Sequence, residues 1–254
     1  MWIDGGIHAR EWISPATVTW MLKELVENDA DHPDLTEKMD WYILPIVNPD
    51  GYAYSRIEDR NRMWRKTRTP NGIHGCEGTD ANRNWGFHWN EGGSSSIPCL
   101  NNYMGQEAWS EVENKNVRDF VFAHKENIKF FNTIHSYGQM VLLPYGFTSN
   151  TSIVPGYDKL LDLATKSNEA LYAVHQKRYD VGCIPCLLYH VSGSSLDWAL
   201  GEAGIPYSMG MELRDTLNGI YGFMLPPSQI IPTGEEVWAF HLTAARMIIE
   251  EFGQ

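Results

Sequence analysis

Short apolar runs of strand length alternate along this chain with longer amphipathic segments, and that alternation restricts its fold more than any other feature. The short runs are WIDGG, DWYILPIVN, IKFFNTIHS, MVLLPYG and PYSMGMEL, bounded by Gly, Pro, Asn and Asp. Helical periodicity is clearest in SPATVTWMLKELVEN, WSEVENKNVRDFVFAHK, PGYDKLLDLATKSNEALYAVH and GEEVWAFHLTAARMIIEEF. Ser14 is placed to cap the first helix and Pro15 to occupy its first position. Strands and helices in this order predict an α/β protein, a sheet with helices on both faces. The 254 residues, 43% hydrophobic, suffice for one large domain with a sizeable core.

No Lys/Arg block interrupts a formal net charge of −12, so a nucleic-acid backbone or an anionic membrane would be repelled and neither is expected as a partner. No apolar run reaches membrane-spanning length, and no secretory signal is visible at the start. The chain opens inside a strand, as a fragment of a longer domain would. Four cysteines fall into two pairs. Cys76 and Cys99 flank a Gly-, Asn- and Ser-rich stretch that a disulfide would restrain by about 3 kcal/mol, favouring an oxidising compartment; two free thiols are the alternative. Asn150-Thr151-Ser152 is a glycosylation sequon, which agrees with secretion.

Polar residues at the carboxyl ends of the strands mark where a ligand site forms in an open α/β sheet. His8 follows WIDGGI, Asn48 follows YILPIV, His135 ends FFNTI and Glu212 ends YSMGM. His8-x-x-Glu11 offers two metal ligands from one turn, and His135, beside Ser136 and Tyr137, is the best third among nine histidines. The plainer alternative makes His8 a turn residue and Glu11 a helix-start carboxylate. Glu212 on an apolar strand has the environment of a general base, its pKa raised by desolvation; a salt bridge to Arg214 fits strand geometry poorly. Arg65 and Arg83 lie among aromatics and amides, with Asn82 adjacent, and can fork onto a carboxylate or make structural ion pairs. His190, next to Tyr189, stands out from the blander His32, His74, His88, His124, His175 and His241.

In this order, GIHAREW, NPDGY, NRMWRKTR, DANRNW, IHSYGQ, YHVSGSSLDW, YSMGMELRDT and PPSQIIPT closely resemble the zinc metallocarboxypeptidases of the pancreatic A/B type, over essentially the whole chain. The resemblance implies a single α/β domain, residues 1–254, with a mixed, mostly parallel β-sheet and helices on both faces. It implies one Zn2+ held by His8, Glu11 and His135, with Glu212 as the base acting on the metal-bound water. Arg65 matches the group that polarises the scissile carbonyl. Asn82 and Arg83 match the grip on the substrate's terminal carboxylate, Tyr189 the tyrosine that closes over it, and Arg10, Ser136 and Tyr137 neighbouring subsites. Peptide and protein C-termini are then the substrates, and a clamp at fixed distance from the metal restricts cleavage to the last bond.

Leu196 stands where enzymes cutting after Lys or Arg carry an acid, which predicts preference for aliphatic or aromatic C-terminal residues. Asp197 beside it points the other way on an extended segment, and Gly210 leaves room in the pocket wall. The resemblance implies that the first strands of the sheet, an inhibitory propeptide expected in the full precursor and a signal peptide lie outside these residues, and an extracellular location is expected. Without those strands a sheet edge would be exposed. Cys183-Ile-Pro-Cys186 does not open a helix and reads as a short-loop disulfide stiffening the pocket wall, ahead of two buried thiols. The alternatives are a non-catalytic relative binding zinc and peptide ends, B-like specificity for Lys/Arg, or an amidohydrolase, against which the full peptide clamp argues.

Overall fold

In the computed structural model, which describes residues 1–253, the chain folds around a six-stranded sheet. The elements in chain order are β1 (Trp2–Gly5), α1 (Ile13–Glu27), α2 (Pro33–Lys38), β2 (Tyr42–Leu44), α3 (Pro49–Ser55), α4 (Val112–His124), β3 (Phe130–Gly138), β4 (Met140–Leu143), α5 (Tyr157–His175), β5 (Asp180–Cys183), α6 (Ile184–Leu187), α7 (Ser195–Gly201), β6 (Tyr207–Thr216) and α8 (Ile230–Phe252). The strand order is β2-β1-β3-β6-β4-β5. Every neighbouring pair is parallel except β4 with β6, so the sheet is mixed and mostly parallel.

Two faces of this sheet are covered because successive strand residues point to opposite sides. Ile3, Phe130, Ile134, Met209 and Met211 pack with Val18 and Met21 of α1, Leu160 and Leu163 of α5 and Val237 and Phe240 of α8. Their neighbours Trp2 and Phe131 turn to the other face and pack with Val117 and Val121 of α4 and Trp198 of α7. Burying each such side chain stabilises the fold by about 1.5–3 kcal/mol. Strand β2 forms one sheet edge with Tyr42, Ile43 and Leu44 half-buried. Among the described residues no helix is long and apolar enough to cross a membrane.

Several local expectations need correction. Helix α1 starts at Ile13, with Trp12 as its cap residue and no side-chain cap; Ser14, inside the helix, instead donates from Oγ to the Ile134 carbonyl and accepts from the Gly6 amide. The four-residue α6 begins directly after its cap residue Cys183, so the Cys183-x-x-Cys186 motif does open a helix. Leu196 and Asp197 lie on helix α7 and not on an extended segment. Asp197 still turns from the pocket, because its carboxylate accepts the Gly146 amide. Both cysteine pairs form disulfides, Cys76–Cys99 and Cys183–Cys186. His241 is a core histidine, its Nε2 3.0 Å from Asn132 Nδ2 and its pKa pushed down to about 4 by burial.

Candidate metal centre and substrate cleft

The turn after β1 sets His8 and Glu11 in place. Gly6 takes φ +64 in the left-handed region, and a Cβ there would stand 3.2 Å from the Ile46 Cα and the Pro45 carbonyl, so the turn requires glycine. The Glu11 amide then donates to the His8 carbonyl, closing a tight loop just ahead of α1. Glu11 therefore does not serve as a helix-start carboxylate. Its Oε2 accepts from the Ser136 amide of β3 at 3.1 Å, which carries it across to the neighbouring strand. His135 and Glu212 face each other across β3 and β6, paired in register.

Three electron-pair donors converge here. His8 Nδ1 lies 2.8 Å from Glu11 Oε1, His135 Nδ1 lies 3.1 Å from Glu11 Oε2, and the two Nδ1 atoms are 3.1 Å apart. Among the described residues, His8, Glu11 and His135 form the one group of this kind suited to a metal, all three buried. Two imidazoles and a carboxylate, with open space beside them, are the donor set of a catalytic zinc site. The outer nitrogens are also held: His8 Nε2 meets Asp80 Oδ1 at 3.0 Å, and His135 Nε2 lies 3.3 Å from both Asn82 Nδ2 and Thr133 Oγ1. Asp80 joins two groups, since its Oδ2 accepts from Nε and Nη2 of Arg65 at 3.0 and 2.9 Å. Sequence reasoning passes over Asp80, although it sits two residues before Asn82 in DANRNW.

The electrostatics follow from crowding in a dry site. Burial pushes the Glu11 carboxyl up, but His8 and His135 outweigh it and hold Glu11 well below its ordinary value. Asp80 behaves likewise, burial being overcome by Arg65 and His8. Burial and the Arg65 charge lower the pKa of His8, which favours the neutral imidazole that metal binding would require. His135 is raised, the bond to Glu11 outweighing burial. Among the described residues the Glu212 carboxylate has no hydrogen bond or ion pair; desolvation first, then Glu11, push its pKa up to about 8. Arg214 pairs with Glu236 instead of Glu212.

A cavity of about 220 Å³ unites these groups, and every metal, catalytic and substrate candidate lines it: His8, Arg10, Glu11, Arg65, Asn82, Arg83, His135, Ser136, Tyr137, Tyr189, Leu196 and Glu212. Arg83 is buried with Nε and Nη1 fixed by the Gly93 and Asn82 carbonyls. Asn82 Oδ1 accepts from the Ser195 amide, tying the polar end to α7 and Leu196. Arg10 stacks over Phe223 at 4.2 Å, and Tyr137 meets the same ring edge-on at 4.8 Å. Tyr189 stands at the rim, 58% exposed. The apolar wall adds Leu142, Ile184, Leu188, Val191 and Gly210, of which sequence reasoning singles out Gly210 alone. A Cβ on Gly210 would stand 3.2 Å from Leu196 Cδ2, so Leu196 occupies the room that glycine leaves. Asn48 and His190 lie outside the cavity; Asn48 caps α3 and donates to the Ile7 and Lys66 carbonyls.

Comparison with known proteins agrees with this geometry. The family model described as zinc carboxypeptidase matches residues 1–240. The chain belongs to the zinc carboxypeptidase family. It is 49% identical to carboxypeptidase B of Astacus astacus, covering 94% of this chain and 77% of that one. It is 45% identical to carboxypeptidase A1 of Bos taurus, covering 96% of this chain and 57% of that one, so it spans little more than half of the bovine relative. The solved structure of bovine thrombin-activatable fibrinolysis inhibitor, in complex with tick carboxypeptidase inhibitor, superposes with a TM-score of 0.92 at 38% identity, over 99% of this chain and 82% of that one. Zinc carboxypeptidases with A-type and B-type names thus lie at similar distances, and specificity has to be read from this chain's own pocket.

Proposed function

We propose that residues 1–254 form the catalytic domain of a zinc-dependent exopeptidase that hydrolyses the C-terminal peptide bond of peptides and proteins, preferring aliphatic or aromatic terminal residues. The observation that carries this reading is a single cavity holding the His8–Glu11–His135 donor set, an unpaired Glu212, three guanidiniums and an apolar end. A zinc ion held by His8 Nδ1, Glu11 and His135 Nδ1 would supply Lewis-acid polarisation and acidify a water.

The chain's own residues account for the rest. Arg83 and Asn82 receive the terminal carboxylate, a charge-assisted grip that a net-negative protein provides only locally. Arg65, oriented by Asp80, directs Nη1 toward the metal site, 3.6 Å from Glu11 Oε1, where charge develops on the carbonyl oxygen. Glu212 takes a proton from the attacking water and hands it to the leaving amine. Tyr189 covers the bound end. Because clamp and metal site lie in one cavity, only the last peptide bond reaches both. The two disulfides favour an oxidising compartment, consistent with an extracellular enzyme whose precursor carries an inhibitory propeptide.

The test is release of the terminal amino acid from blocked dipeptides ending in Phe and in Arg, with zinc-loaded and chelator-treated samples. Zinc-dependent release of Phe with little Arg is expected. Preference for Arg would overturn the pocket assignment, and no release from a folded sample would favour a relative that binds zinc and peptide ends without turnover. Asp80→Asn, which loosens both His8 and Arg65, is expected to raise the zinc Kd about 10–100-fold, read by competition with a chromophoric chelator. An unchanged Kd would show that Asp80 does not support the centre.

A further inference from the structure

The pocket wall is built from a segment that meets the sheet through apolar packing and few hydrogen bonds: Ile184 is buried with Met140 and Leu142 of β4, and Leu187 and Leu188 lie against that cluster. Cys183 ends β5, where it is paired in register with Leu143 of β4, and it is 1% exposed. The next tie to neighbouring backbone comes at Val191, whose amide donates to the Gly146 carbonyl at 2.9 Å. Among the described residues, no side chain from 184 to 190 makes a hydrogen bond or ion pair, and the Leu188 amide bonds only within the segment, to the Ile184 carbonyl. Yet this segment supplies Ile184, Leu188 and Tyr189 to the cavity. A four-residue helix has no stability of its own. Its one covalent restraint is the Cys183–Cys186 disulfide, which joins the residue anchored in the sheet to the solvent-exposed Cys186.

We infer that the Cys183–Cys186 disulfide is a specificity-determining element, which holds Ile184 and Leu188 at the distance that large apolar C-terminal residues require. The inference rests on the exopeptidase reading above and names what sets its selectivity. A terminal Phe or Leu packs on this wall, whereas a terminal Ala is too short to reach it. The bond acts through position: a pocket residue misplaced by a fraction of its contact distance loses dispersion and admits water. The metal-ligand candidates, Glu212, Arg65 and Arg83 all come from other segments, and Tyr189, though it follows on this one, stands at the rim, 58% exposed and beyond the helix that the bond closes, so the disulfide bears on binding of the terminal side chain and not on the chemical step.

Cys186→Ala tests this while leaving the buried Cys183 sulfur in place, and it avoids thiol reductants, which strip zinc. The variant is expected to raise KM for a blocked dipeptide ending in Phe about tenfold, with kcat within about twofold and an Ala-ending substrate unchanged. Binding of 3-phenylpropanoate relative to propanoate should weaken in parallel, a readout that needs no turnover. Cys183→Ala/Cys186→Ala is expected to repeat the pattern. Equal effects on the Phe and Ala substrates, a fall in kcat alone, or no effect would each overturn the inference. If the native chain neither releases Phe nor binds 3-phenylpropanoate, the exopeptidase reading itself fails; if it does either and Cys186→Ala matches it, only this inference fails.

Discussion

Glu212→Gln is expected to lower kcat by about 10³–10⁴ while leaving KM and zinc affinity within about threefold. The amide keeps the shape of the carboxylate but cannot accept a proton from water, so the loss falls on the transition state alone. Glu212 is free for this task because Arg214, two residues on, is committed to Glu236. The base works ionised, so kcat/KM of the native protein should rise with pH through the Glu212 pKa and level off above it. Desolvation and Glu11 place that pKa at about 8 against an ordinary 4.5. A bound divalent cation pulls it down, so the acid limb is expected between these values. The residual activity of Glu212→Gln should lack the limb. A variant retaining kcat within about tenfold would remove Glu212 as the base.

A site residue is legible in the amino-acid sequence where its position along the chain carries information. His8, His135 and Glu212 are legible because they end apolar strands, and such ends gather at one edge of a sheet. The same logic misplaces Asn48, which also follows a strand but caps α3; nothing local separates a capping amide from a ligand-facing one. Asp80 is hidden since its importance lies in joining His8 to Arg65, a contact spanning 72 residues on one side. Leu142, Ile184, Leu188 and Val191 look like any core residue until β4, α6 and the segment after it meet around one cavity. The seven-residue helices α3 and α7 are too short for helical periodicity to show. Strand β5, DVGC, lacks the apolar run that marks the others.

Leu196→Asp is expected to reverse the substrate preference, lowering the ratio of kcat/KM for Phe-ending over Arg-ending dipeptides by about 10⁴ or more. Leu196 is 2% exposed and shares the pocket with Leu142, Ile184, Leu188, Val191 and Gly210, none of which can pair with a charge. The adjacent carboxylate, Asp197, is turned away and engaged by the Gly146 amide. A new carboxylate at the floor would therefore meet a phenyl ring as an unpaired polar group, which penalises Phe. A guanidinium would satisfy it with two charge-assisted hydrogen bonds. Among apolar walls the new Asp would itself have a raised pKa. The gain for Arg should consequently grow as pH rises through that value, while the loss for Phe persists on both sides because the protonated acid is polar too. Gly210 makes the exchange sterically feasible, since the Leu196 methyl is the nearest group to the space beside it, with Thr133 next at 3.6 Å. A ratio that moves by less than about tenfold would mean the terminal side chain does not rest on Leu196, and the specificity assignment would have to move elsewhere in the cavity.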